Sequence, residues 1–376
     1  VAYQGEFLLP EIRVTDDEML RRREETLFHT ERAWNVLLGC KAVSEGCRSC
    51  QAAARLDHHN ANSGRTVDWS KRDAPLELDQ ALTEPAMWKT PQRVMIAPMS
   101  DLFQPSVSRT FIERVLKVVA AHPQHVFMVT TRHPRRLREI LQAHPAPPNL
   151  AVGVAAEDQA TFEERVPFVL DIVARWRYLV LEPLLSAIDV NCLKLPSNDL
   201  YWPLQGIVQG FAGFDARQQP QWHPKSQPVR QVAPLDWIVV GGERGAAPRP
   251  AHPAWVRAIR DASLRQGRAF FFRGWGDFVP TRRPDPRNPR LLVVSESGQR
   301  RSIAASAELS EVAEDEMYFT PLARGDEPIQ FFLDGQRHFT MPELRAQAPQ
   351  PAASDNDVLE RELQRLTPRM AAAGGR

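Results

Sequence analysis

The chain predicts an α/β fold: a partial or closed parallel (β/α) barrel with a small β-containing appendage near its C-terminus. Three observations predict the barrel. Seven short apolar runs alternate with runs of helical apolar spacing, the pattern of a parallel sheet with helices outside. Nearly every apolar run ends in charged or glycine-rich residues, on the side where the loops of such barrels build active sites. Three cysteines gathered on one loop follow the first run. A doubly wound open sheet has the same periodicity and remains the alternative.

Taken in order, residues 1–30 are expected to be an N-terminal helical extension, 31–276 the barrel, 277–345 the appendage and 346–376 a mobile tail. Thr15, with Glu18 three residues on, predicts a capped helix over 15–27. The basic triplet at 21–23 reads as a solvated face or a phosphate contact. Residues 36–38 lead as a strand into Cys40, and an alanine-rich, helix-favouring run follows Cys50. Residues 57–92 are polar and irregular. Strands at 93–98, 125–130, 150–154, 178–181, 237–240 and 269–272 then alternate with helices at 111–121, 135–143, 162–174 and 255–266.

Residues 191–234 interrupt this rhythm. They are rich in Pro, Gln and aromatics and too long for a structureless loop, so they read as a lid or substrate platform. Their aromatics suit either a small satellite core or stacking on bases. Cys192 reads as an ordinary buried thiol. In the appendage, residues 291–303 predict a hairpin turning at Ser297 and Gly298, with residues 331–335 returning against it.

A hydrophobic content of 43% suits a globular protein. The formal net charge of +1 does not announce a nucleic-acid binder, and it leaves a local basic groove open. No run of about 18 apolar residues and no charged-then-apolar leader is present, which predicts a cytoplasmic protein with no membrane partner. Four cysteines, three of them clustered, suit a reducing compartment and metal chemistry better than a disulfide framework.

The cluster is Cys40, Cys47 and Cys50, a C-x6-C-x2-C spacing. Thiolates on one short loop repel one another and oxidise, and metal coordination is the usual reason to keep them together. Three cysteines leave one corner of a four-coordinate metal, or one iron of a cubane cluster, without a cysteine ligand. A catalytic site needs such an open position. The alternative is a structural zinc site closed by His58 or His59, in a binding module without enzymatic activity.

The order of motifs resembles a phage-associated radical-SAM-like family with a three-cysteine motif. The matching blocks are WNVLLGCKAVSEGCRSC (34–50), MSDLF (99–103), HVFMVTTRHPRRL (125–137), NLAVGVAAEDQ (149–159), LVLEPLL (179–185), LDWIVVGGERGAAPRPAHPAWVR (235–257), AFFFRGWGDFVP (269–280) and a closing LDGQRHFTMPE (333–343). The chain departs from that family at Gln51, where an aromatic is usual, and at Arg132, where a lysine is expected.

The resemblance implies a partial barrel, a [4Fe–4S] cluster on Cys40, Cys47 and Cys50, and S-adenosylmethionine on the open iron. It implies an electron donor and reductive cleavage of the cofactor to a 5′-deoxyadenosyl radical that abstracts a substrate hydrogen. Gly241, Gly242 and Glu243 are the expected cofactor contacts. A glycine pair lets backbone approach a ligand, and a carboxylate receives an ammonium group. Asp101 and Glu157 are expected at the ribose hydroxyls or the substrate. Glu182 and Arg132 are expected to face the substrate as catalytic residues, and Arg273 ends a strand on the same side. A modified thymidine in phage DNA, or a nucleotide, is the implied substrate of an isomerase; a small molecule or peptide is the alternative.

Overall fold

Alternate residues of each apolar run enter two separate cores, and this fixes the architecture. In the computed structural model, residues 30, 32–50, 75–245, 247–281, 290–304, 313–321 and 331–342 are described. Their central feature is a seven-stranded parallel sheet. Its strands are β1 (Arg32–Trp34), β2 (Arg93–Ile96), β3 (Val126–Thr131), β4 (Leu150–Ala155), β5 (Arg177–Leu181), β6 (Trp237–Gly241) and β7 (Ala269–Gly274), adjacent in chain order. A doubly wound sheet reverses direction at a switch point. No reversal occurs here, so the sheet is singly wound and curls into a half-barrel.

Four helices cross between strands: α1 (Arg109–Ala121), α2 (Pro134–Ala143), α3 (Gln159–Arg165) and α4 (Pro253–Arg265). Val115 and Val119, Leu137 and Ile140, Phe162, and Val256 and Ile259 all join one core with the outward strand residues Ile96, Val129, Val154, Leu181 and Val240. The inward residues Met95, Met128, Tyr178, Val180, Trp237, Val239 and Phe271 form a second core inside the curl. This two-residue alternation is what a strand buried on both faces requires. Gly153 is small because Tyr178 fills the space beside it: a Cβ there would lie 2.2 Å from the ring. Tyr178 shares a 2.8 Å hydrogen bond with Thr130 and packs against Trp237, which gives the half-barrel a solid floor.

Three sequence expectations are corrected. The first barrel strand is Arg32–Trp34, not 36–38; Leu37–Leu38 instead pairs antiparallel with Leu76–Glu77. The helix expected over 162–174 ends at Arg165 and tightens into a 3-10 turn at Val166–Val169. Pro167 has no N–H to continue it. Cys192 is half-buried rather than buried, although desolvation still pushes its thiol up to about 11.

The 191–234 segment, which interrupts the rhythm between β5 and β6, is built of short strands. Its strands Leu193–Lys194, Leu200–Trp202, Ile207–Gln209 and Arg230–Gln231 form one antiparallel sheet, and Phe211–Phe214 pairs with Pro220–Trp222. Leu193, Leu195, Tyr201, Leu204 and Val208 join the outer core. The segment therefore packs on the outer core where a crossover helix would. Phe211 makes edge contacts with Phe214 and Trp222, as a satellite cluster would.

The appendage is a four-stranded antiparallel sheet of β8 (Phe278–Thr281), β9 (Arg290–Ser295), β10 (Arg300–Ala304) and β11 (Glu316–Pro321), in the order β8-β11-β9-β10. The expected hairpin is β9–β10. Residues 338–340 then run antiparallel along β7: Phe272 N donates to His338 O at 2.8 Å and Thr340 N to Phe270 O at 3.2 Å. Phe339 stacks 4.9 Å from Phe271, so the return of the chain covers the edge strand of the half-barrel. Among the described residues no helix is long and apolar enough to cross a membrane. The expected N-terminal helix, His58, His59 and the tail lie outside the described residues.

Candidate functional site

The cysteine loop lies across the C-terminal mouth of the half-barrel and is tied to the loops after three strands. Gly39, with a φ of 95°, turns the chain after Leu38. Its carbonyl accepts hydrogen bonds from Ser100 Oγ and from Gln104 Nε2, the latter at 3.1 Å. Gln104 is fully buried and also accepts from Lys41 N at 3.1 Å, which fixes the loop beside Cys40 to the loop after β2. A 3-10 turn at Glu45–Cys47 follows. Gly46 sits against the loop after β4; a Cβ there would be 3.0 Å from the Glu157 carboxylate.

The third tie is to the loop after β6. Arg249 donates to Glu243 Oε2 through Nε at 2.7 Å and to Oε1 through Nη2 at 2.6 Å. The same guanidinium reaches Glu45 Oε2 at 3.0 Å and Glu45 O at 2.8 Å. Ser49 Oγ donates to Ala247 O at 3.3 Å. One arginine therefore joins the cysteine loop to the end of β6.

All three clustered cysteines are reduced and half-buried. Burial, the Asp101 carboxylate and the thiols of Cys47 and Cys50 push Cys40 up to about 12, against the opposing charge of Arg132. The three thiols thus share one electrostatic neighbourhood with Asp101 and Arg132. Among the described residues no three His, Cys, Asp or Glu side chains are grouped to hold a metal ion.

The acidic residues expected at the mouth are there, and most are already engaged. Asp101 accepts from Phe103 N at 2.9 Å, Thr131 Oγ1 at 2.7 Å and Arg132 N at 2.7 Å. Its carboxylate joins the loops after β2 and β3. Glu157 is fully buried and paired with Arg165 at 3.1 Å, while Arg132 Nε lies 3.9 Å from it. Two polar atoms are left over: Glu157 Oε1 and Arg132 Nε are buried without a hydrogen-bond partner among the described residues. Burial alone would lower the Arg132 pKa, but Cys47, Glu157, Asp101 and Cys40 hold it raised. Arg132 Nη2 also donates to Glu182 O at 3.3 Å.

Glu182 is paired with Arg273. Gly241 and Gly242 are both closely packed. A Cβ on Gly241 would lie 2.8 Å from Glu182, and one on Gly242 only 1.8 Å from the Trp275 carbonyl oxygen. Glu243 is buried, and Arg249 engages both of its carboxylate oxygens. Sequence reasoning missed Gln104, Glu45 and Arg249. Only Arg249 left a signal: a cation six residues after Glu243 in a loop of small residues.

No curated protein and no solved structure matches the chain. A family model described as "Protein of unknown function (DUF5131)" matches residues 24–342, which takes in the cysteine loop, the half-barrel and the return strand. This chain belongs to that family, DUF5131.

Proposed function

We propose that the chain is a radical S-adenosylmethionine enzyme, cytoplasmic in a phage-infected host, that acts on a modified thymidine nucleotide or on DNA carrying one. The observation that supports this reading most is the course of the cysteine loop over the barrel mouth, tied to the loops after β2, β4 and β6.

The residues present fit a [4Fe–4S] cluster with an open iron. Three thiols and no adjacent fourth supply its cysteine ligands. A cubane takes each sulfur on a different iron, so the thiols need not converge on one ion. Cys40, Cys47 and Cys50 would hold the cluster, and the orphaned Glu157 Oε1 and Arg132 Nε offer an acceptor and a donor to a polar ligand beside it. When bound, the cluster and S-adenosylmethionine supply one-electron cleavage and hydrogen abstraction from an unactivated carbon.

The chain's own residues position and shield. Gln104 and Arg249 fix the loop. Tyr178 and Trp237 close the floor to water. Glu182 and Arg273 form an ion pair, which in this reading faces the substrate.

Anaerobic purification tests the reading. The expected result is a brown protein with iron and sulfide in equal amounts. A colourless protein with stoichiometric zinc would favour the zinc-stapled module instead. Deuterium passing from a modified nucleotide into 5′-deoxyadenosine would identify the substrate class; transfer from a small metabolite or peptide would redirect it.

A further inference from the structure

The appendage reaches back to the barrel mouth. The turn between β9 and β10 docks on the first turn of α4: Trp255 Nε1 donates to Glu296 O at 2.7 Å. Gly298 packs on the same indole, a Cβ position there lying 3.6 Å from the ring. This docking brings Arg300, the first residue of β10, to the loop after β5. Its Nη2 donates to Leu185 O at 2.9 Å. Leu185 N in turn donates to Glu157 O at 2.8 Å, so the contact lies directly on the rim of the site.

The charges around this rim are nearly all accounted for. Glu45 and Glu243 share Arg249. Glu157 has Arg165 and Arg132. Glu182 has Arg273, and Asp101 is taken up by three hydrogen bonds. Arg300 differs, because among the described residues no carboxylate lies within ion-pair distance of it; Glu243, already held by Arg249, acts on it only from farther off. Its neighbour Arg301 points to the opposite face of the hairpin, as strand alternation requires, and is paired with Glu316 at 2.6 Å. A guanidinium carries five donors in a planar fork suited to phosphate. Arg300 spends one of them on Leu185.

We propose that Arg300 is a substrate-anchoring residue that contacts a phosphate of a nucleotide or DNA strand entering the half-barrel mouth. The appendage then has a task the sequence did not reveal: it delivers a cation to the rim from outside the barrel. Desolvation and the adjacent Arg249 charge hold the Arg300 guanidinium below its usual pKa, against the opposing charge of Glu243, the direction in which an arriving anion gives relief. The assignment of a nucleotide as the phosphate carrier rests on the functional reading above.

The test uses the full chain and a fluorescein-labelled short oligothymidylate, read by anisotropy across a salt series. Arg300→Gln is expected to weaken binding roughly tenfold at low salt. It should also make the salt dependence shallower by about one unit of log K per log salt. Arg300→Lys should keep the slope, and Arg301→Gln should change neither quantity. Thymidine 5′-monophosphate should compete where thymidine does not. An unchanged affinity and slope in Arg300→Gln, equal competition by thymidine, or no binding by the parent chain would each overturn the proposal. Binding is read without S-adenosylmethionine or reductant, so these outcomes leave the radical reading to its own assay. Matching thermal melts of parent and Arg300→Gln show that the variant is folded.

Discussion

Arg249 and Glu45 are 204 residues apart in the chain and 3.0 Å apart in space. Their contact joins the cysteine loop to the loop after the sixth barrel strand. The two ends of Arg249 are unequal: the Glu45 side chain is 69% exposed, the Glu243 side chain 3%. Losing the exposed partner should cost under about 1 kcal/mol. Removing the arginine strands a buried carboxylate and should cost about 3–5 kcal/mol. Urea unfolding of Glu45→Ala and Arg249→Ala should rank them in that order. Iron retained per chain after gel filtration should fall in Arg249→Ala and recover in part in Arg249→Lys. Equal iron retention in all three would mean that the bridge does not hold the loop.

Gly242 should tolerate no side chain. Its Cβ would meet the Trp275 backbone carbonyl at 1.8 Å, and backbone cannot swing aside. Gly242→Ala is expected to lose about 3 kcal/mol or fail to fold. Gly46→Ala meets only the end of a side chain at 3.0 Å and should lose about 1 kcal/mol. Thermal melts of the two variants check the order; a stable Gly242→Ala would show that β6 and the Trp275 loop can separate.

Much of this fold was legible because β2 to β7 are apolar runs whose alternate residues face two cores. The first strand was not. Arg32 and Ala33 are exposed on an edge, so residues 32–34 carry no apolar run, while the more apolar 36–38 lies off the barrel. The mouth itself could be read from the residues that end each strand. What those residues do there could not, because their partners are set by folding. Asp101 is spent on Thr131 and Arg132, Glu243 on Arg249, and Arg300 arrives from another sheet. Gly242 also lies against the Trp275 carbonyl, a packing demand that its sequence context did not show.

His252 predicts an acid-labile step. Its Nδ1 accepts from Ala254 N at 3.2 Å as the N-cap of α4, and the ring is buried. Burial, then the Arg257 charge, lowers its pKa to about 4. The neutral ring is the folded form. Stability from this group is therefore complete above about pH 6.5 and is lost as pH falls toward 4. Protonation also places a cation at a helix N-terminus, which adds to the loss. The total should be on the order of 2 kcal/mol. Circular-dichroism melts from pH 7 to 4 should show the fall, and His252→Asn, a neutral cap, should flatten it. A parallel decline in both proteins would assign the effect elsewhere.

The return strand should be needed for a stable sheet edge. Phe339→Ala removes the ring stacked 4.9 Å from Phe271 and should cost about 2 kcal/mol, since the ring is half-buried. The exposed β7 edge should then favour association, visible as concentration-dependent light scattering. A monodisperse variant with parental stability would show that the edge needs no cover.

The central claim is that Cys40, Cys47 and Cys50 hold a cluster whose open corner faces the barrel mouth. The most direct measurement is 5′-deoxyadenosine formed after anaerobic reconstitution, with dithionite and S-adenosylmethionine, alongside iron content. The account predicts about four irons per chain and product from the parent, with both lost together in Cys40→Ala, Cys47→Ala and Cys50→Ala. A fully loaded parent that forms no 5′-deoxyadenosine, or variants that still form it, would contradict the account.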